Sequence, residues 1–216
     1  MNITAADPRL PAHEQVYRQL RDMILFGDIE PGQAVTIQGL VTLLDAGMTP
    51  VREALRRLTA EGALRSLGNR RIAVPVLDAA AVSELTEARL AIEPMLASRA
   101  AGAAHPGAIA ALEDTDARLD RAIARGDIPL YLRENHRFHA GLNALAEAPI
   151  LTSLSESLWL RFGPSLRVVC GRIGTANLPD RHKDLTAALR AGDAEAAERA
   201  MRDDVAQGMA LIAQSL

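Results

Sequence analysis

Aromatic side chains and cysteine are what this chain nearly does without: rings make up 3% of its 216 residues and Cys170 is its one cysteine. A lone cysteine excludes an intramolecular disulfide and fits a reducing cytoplasm. With so few rings, a core has to be built from Leu, Ala, Val and Ile. That favours packed helices over a β-sandwich, which draws on aromatic and β-branched residues. No stretch reaches the ~18 uninterrupted apolar residues of a membrane span, and the opening MNITAADPRLPAHEQ lacks the basic start and apolar run of a signal peptide. A nucleophile elbow and a glycine-rich phosphate loop are also missing, and Gly171-x-x-Gly174 is too weak a pattern to supply the latter.

What is present is the balance of a globular protein, 49% hydrophobic and 24% charged, in a chain long enough for two small domains. The net charge of −3 is unevenly spread. Residues 46–75 hold six arginines (Arg52, Arg56, Arg57, Arg65, Arg70, Arg71) against Glu53 and Glu61, whereas residues 76–216 hold 15 basic and 19 acidic side chains. A local basic patch can grip phosphate in an acidic protein, because charges are screened beyond about 10 Å. Such arginines can equally do no more than solvate a helix face.

Apolar spacing predicts a first helix over 12–26 (Val16, Tyr17, Leu20, Met23, Ile24) and a second starting at Thr36 (Ile37, Leu40, Val41, Leu44). A third is predicted from Thr49, as N-cap before Pro50, to Glu61-Gly62, burying Val51, Ala54, Leu55 and Leu58. Residues 64–76 read as two short strands about a turn at Gly68-Asn69-Arg70. Helix, turn, helix, turn, helix and hairpin is the order of a winged helix-turn-helix, whose third helix can enter a major groove about 12 Å wide. Beyond Pro75–Asp78 six amphipathic helices follow, over about 79–101, 106–126, 129–147, 149–169, 180–191 and 193–214, with Pro164 as a kink or helix start.

The segment GDIEPGQAVTIQGLVTLLDAGMTPVREALRRLTAEGALRSLGNRRIAV resembles the DNA-binding domain of the GntR regulators. ELTEARLAIEPMLASRAA, RENHRFHAGLNALAEAPIL and DRHKDLTAALRAGDAEAAERAMRDDV resemble the helical ligand domain of its FadR subfamily, the FCD domain. The resemblance implies a mainly α fold: a winged helix-turn-helix over residues 1–76, and a six- to seven-helix antiparallel bundle over 79–216 that binds an effector and dimerises. It implies a ligand-responsive transcriptional regulator, a repressor, that works as a homodimer on a pseudo-palindromic DNA operator. Thr49 and Arg52 would touch DNA at the start of the recognition helix, and Asn69, Arg70 and Arg71 would do so from the wing. Arg56 and Arg57 would hold phosphates or stay solvated. Where members of the family have Ser-Arg before Thr-Pro, this chain has Gly47-Met48, and Arg71 stands where the wing has glycine.

Members of the family often hold a divalent metal through an Asp, a His four residues later and two further histidines. The matching positions here are Asn135, His139, His182 and Asp204, a set suited to Zn, Ni, Mn or Fe. Residues 135 and 139 share a helix face, and His136 lies beside it. A metal-free pocket, in which His139 and His182 bond each other or the effector, is the other reading. A carboxylate or sugar-acid effector needs a cation. Arg89, with Glu93 four residues on, is either that clamp or half of a structural pair, because an inward arginine is costly alone. Arg161, Arg167 and Arg172 are weaker candidates, and Trp159 is core or rim packing. The alternative of another class is a metal-dependent helical enzyme using the His/His/Asp site.

Overall fold

The computed structural model of the chain describes residues 10–68, 71–175 and 181–216. It contains two compact units, one ending at Leu77 and taking in Trp159–Val168, the other made of Asp78–Leu158 and Val169–Leu216.

In the first unit the order is α1 (Ala12–Leu25), β1 (Ala34–Thr36), α2 (Ile37–Leu44), α3 (Met48–Ala60), β2 (Arg65–Gly68) and β3 (Arg71–Ala73). α1 packs on α3 through Val16, Leu20 and Ile24 on one side and Val51, Leu55 and Leu58 on the other, all buried. Thr36 caps α2 as its sequence predicts, its Oγ1 accepting from the Gly39 amide at 3.1 Å. α3 departs from expectation: Gly47 is the N-cap and the helix begins at Met48, so Thr49 lies inside the first turn. The first four amides of a helix have no intrahelical acceptor, so proline is at home anywhere in that turn and does not fix its first residue.

The predicted hairpin is also incomplete. β1 joins it in a three-stranded antiparallel sheet, order β1-β3-β2, with Val35 opposite Ile72. Three residues are too few for a period-2 pattern, so β1 left no mark in the sequence.

The second unit is helical: α4 (Ala79–Ala103), α5 (Pro106–Arg125), α6 (Ile128–Leu145), α8 (His182–Ala191) and α9 (Ala194–Gln214), with the outer parts of α7 (Pro149–Ile173). Side chains of Asp78, His105, Asp127 and Asp193 cap α4, α5, α6 and α9, each accepting from an amide three residues on at 2.8–3.2 Å. Prolines open α5, α6 and α7. α7 runs on through Pro164, which neither starts nor stops a helix. α4 lies along α9 and α5 along α6, around Leu96, Leu119, Phe138, Leu142, Leu185 and Met201.

That the middle of α7 groups with the winged unit is something periodicity could not announce, since a helix's apolar stripe does not name its partner. Gly163 makes the contact: a Cβ there would lie 2.6 Å from the Leu25 carbonyl oxygen. Only glycine lets α7 come so near the end of α1.

Candidate functional site

Two places in the chain concentrate chemistry. The first is the outer face of α3. Burial of Val51, Ala54, Leu55 and Leu58 turns Thr49, Arg52, Arg56 and Arg57 outward. Arg52 and Arg56 meet Arg71 of β3 around a cavity of about 340 Å³, floored by Leu55, Ile37 and Ile72. Among the described residues none of these three arginines has a carboxylate partner.

Arg57 differs. Its guanidinium donates to Glu14 and Glu61, both at 3.1 Å, and lies 3.5 Å over the Tyr17 ring. The Tyr17 hydroxyl in turn donates to Glu61 at 3.0 Å, and burial together with that bond pushes its pKa up to about 12. Arg57 thus ties α1 to α3 instead of standing free for phosphate. Asn69 and Arg70 lie outside the described residues.

The second place is in the helical unit. His139 on α6, His182 at the start of α8 and Asp204 on α9 are brought together, one ligand atom of each within 4.8 Å of the others. His139 Nε2 is 3.4 Å from His182 Nε2 and 3.3 Å from Asp204 Oδ2. Asn135 is buried one turn before His139. The Nδ1 of His182 is 3.1 Å from Asp116 Oδ1 of α5. An ionised carboxylate only accepts, so that nitrogen carries a proton and Nε2 is turned toward His139. Phe138 stacks on the His182 ring at 3.8 Å and fixes its plane.

Charge in this cluster is balanced locally. Burial alone would push the Asp204 carboxyl up, but the His139 hydrogen bond, the His139 and His182 charges and the Arg181 amide hold it at about 2. Burial works the same way on Asp116 and is outweighed by His182 and by Lys183, whose Nζ is 3.2 Å away, so its carboxyl sits below the ordinary range. Behind His139, Arg89 and Glu93 form a buried two-pronged ion pair at 2.6 and 2.9 Å, with Glu93 Oε2 3.9 Å from His139 Nδ1. Of the two readings open for Arg89, this is the geometry of the structural pair.

The other cationic candidates lie elsewhere. Arg161 belongs to the winged unit, where it donates to the Glu61 carbonyl at 3.2 Å and covers Gly62, whose φ of +77° ends α3. It sits at the carbonyl end of α3, where a cation is favoured. Arg172 is exposed and donates to the Ser215 carbonyl at the end of α9. Trp159 is buried against Phe162, their rings 4.6 Å apart. Asp116 went unnoticed in the sequence, yet a signal existed. It sits in register with Leu112 and Leu119 on the buried face of α5, and an acid in an apolar register needs a partner.

Comparison with known proteins places these two sites in a family. Residues 12–74 match the bacterial regulatory proteins of the gntR family and residues 84–207 match the FCD domain. The chain belongs to the GntR family of bacterial transcriptional regulators, in its FCD-containing branch. It is 29% identical over 203 residues to the HTH-type transcriptional regulator McbR of Escherichia coli (strain K12), covering 93% of this chain and 92% of that one. It is 27% identical over 199 residues to the HTH-type transcriptional repressor RspR of the same strain, over 92% of this chain and 87% of that one. The solved structure of E. coli McbR/YncC superposes with a TM-score of 0.89 at 28% identity, covering 95% of this chain and 98% of the other. These relatives are regulators, not enzymes, and the metalloenzyme alternative has no support among them. No helix among the described residues is long and apolar enough to cross a membrane.

Proposed function

We propose that this regulator is a cytoplasmic homodimer, a repressor, that releases or regrips a pseudo-palindromic operator when a small carboxylate or sugar acid enters its FCD domain beside a bound divalent metal. Thr49 and Arg52 read base edges from α3. Arg56, Arg71 and the wing residues Asn69 and Arg70 hold backbone phosphates. Two half-sites are expected because one recognition helix spans only a few base pairs. Arg89 and Glu93 serve the effector only indirectly, by steadying His139, and Arg161 and Arg172 brace helix ends.

The observation that carries the sensor reading is the spacing of three inward-facing atoms. Ions such as zinc bind His nitrogens at about 2.0–2.1 Å, and in a tetrahedron this sets ligand atoms roughly 3.3–3.4 Å apart. His139 Nε2 has His182 Nε2 at 3.4 Å and Asp204 Oδ2 at 3.3 Å. His139, His182 and Asp204 would hold the ion, with Asn135 as a further oxygen donor, and Asp116 would fix the His182 tautomer from behind. Zn, Ni, Mn or Fe suits two imidazoles and one carboxylate. A bound ion would supply the positive charge that a carboxylate effector needs, since Glu93 has already engaged Arg89.

The test is elemental analysis of the purified protein and of His182→Ala, followed by a thermal-shift screen of small carboxylates. One equivalent of metal per chain, lost in the variant, is expected. An effector at 100 times its dissociation constant should add about 2.7 kcal/mol of stability. A protein whose melting ignored added metal ions and chelator alike would overturn the metal reading. Failure to retain any duplex from a randomised pool at low salt would overturn the operator reading.

A further inference from the structure

The exposed face of α3 carries one large apolar side chain, at its first residue. Met48 is 43% exposed there, an apolar side chain beside Thr49, Arg52, Glu53, Arg56 and Arg57. Single exposed apolar residues are ordinary on protein surfaces. This one is set apart by its register. Met48, Arg52 and Arg56 recur every four residues, so they form one stripe on the side of the helix turned away from the core. The N-cap before Met48 is Gly47, whose lack of a side chain leaves the helix start uncovered. Cα–Cβ bonds tilt toward the N-terminus, so a side chain at the first position projects beyond the first turn.

A recognition helix meets base edges with its N-terminal residues. In the major groove the apolar feature available to such a residue is the C5 methyl of thymine, just as guanine O6 and N7 are the natural partners of an arginine. We propose that Met48 reads a thymine in each operator half-site by covering its C5 methyl, next to a guanine read by Arg52. Four residues of α-helix rise about 6 Å, and successive bases on a strand are about 3.4 Å apart. The thymine therefore falls one or two base pairs from the guanine. The flexible thioether of methionine moulds itself to a methyl group without the fixed geometry a hydrogen bond demands. The inference rests on α3 being the recognition helix.

The test uses the full-length protein. Duplexes are selected from a randomised pool by the wild type, by Met48→Ala and by Arg52→Ala, and the best wild-type duplex is then remade with deoxyuridine in place of individual thymidines. Deoxyuridine keeps every hydrogen bond of thymidine and lacks only the methyl. Wild-type protein should lose about fourfold in affinity at one thymidine per half-site, the loss expected when one methyl group is returned to water. Met48→Ala should bind the two duplexes equally, and its selected pool should lose the thymine at that position alone. Met48→Leu should keep the discrimination. If Met48→Ala still distinguishes thymidine from deoxyuridine, or if wild-type selection shows no thymine within two base pairs of the guanine, the inference falls. If instead Arg52→Ala selects the same pool as the wild type with unchanged affinity, the recognition-helix reading itself falls.

Discussion

Arginine is put to opposite uses in the two units. On α3 and β3, Arg52, Arg56 and Arg71 are exposed and meet no carboxylate among the described residues. On α4, Arg89 is 3% exposed and both prongs of its guanidinium are taken by Glu93. The residue type does not decide between these fates. Whether an acid engages it does. Arg89 has Glu93, Arg57 has Glu61, Arg118 has Asp114 and Arg202 has Glu198 at four-residue spacing, and each is paired with that acid. Arg52 instead has Arg56 one turn ahead and Met48 one turn behind. Two like charges at that spacing cost a few tenths of a kcal/mol in the free protein, and a polyanion relieves that cost on arrival. Intramolecular pairing makes scaffold, and its absence on an exposed face marks where DNA is expected to land.

The contrast is most easily broken in the helical unit. Arg89→Met leaves Glu93 buried without its partner, and should cost about 3–5 kcal/mol in urea unfolding. Replacing both members, Arg89→Met with Glu93→Leu, should recover most of that loss, since an apolar pair of similar volume is often no worse than a buried ion pair. A double variant as unstable as the single one would mean that Glu93 is needed by His139 rather than by Arg89. The next largest effect belongs to the α7 contact. Gly163→Ala drives a methyl group against the Leu25 carbonyl and should cost about 1–3 kcal/mol. Gly208→Ala, in α9 with nothing within 4 Å of the added atom, should gain about 0.5–1 kcal/mol. Equal effects at the two glycines would remove the reason for grouping 159–168 with the winged unit.

How much of this could be read from the sequence follows from the range of each interaction. Local ones were legible. The cap at Thr36 acts within three residues and helix faces repeat every three to four, so most helices fell near their expected bounds. His139 and His182 also stood out, as titratable side chains in a motif that the FCD resemblance supplied. Partners distant in sequence were not legible. Arg161 reaches a backbone carbonyl 100 residues away, and Arg172 reaches one 43 residues away. No side-chain pattern encodes a carbonyl acceptor, so both arginines looked like spare cations. β1 failed for a related reason, since its three residues gain their structure only by pairing with β3. Asp116 and Arg57 are intermediate cases. Each carried a readable sign, an acid in an apolar register and an acid one turn away, that a resemblance centred on other positions did not weigh.

On the reading face the comparison can be sharpened from base contact to bare charge. Arg52→Ala should cost about 1–3 kcal/mol against the selected duplex and much less against random DNA, because the loss is of discrimination and not only of attraction. The smallest expected effect concerns slope rather than affinity. Each phosphate contact contributes about 0.9 to the fall of log K with log salt. Arg56→Ala and Arg71→Ala should each flatten that line by about 0.9 per protomer in contact, on selected and random duplexes alike. Arg57→Ala should leave the slope unchanged, because Glu14 and Glu61 already neutralise its charge at 3.1 Å. It should be felt instead in unfolding, by at most about 1 kcal/mol, since the pair is solvent-exposed. Anisotropy titrations between 50 and 200 mM salt would settle the matter: a slope reduced by Arg57→Ala as much as by Arg56→Ala would show that bonded carboxylates do not withhold an arginine from DNA.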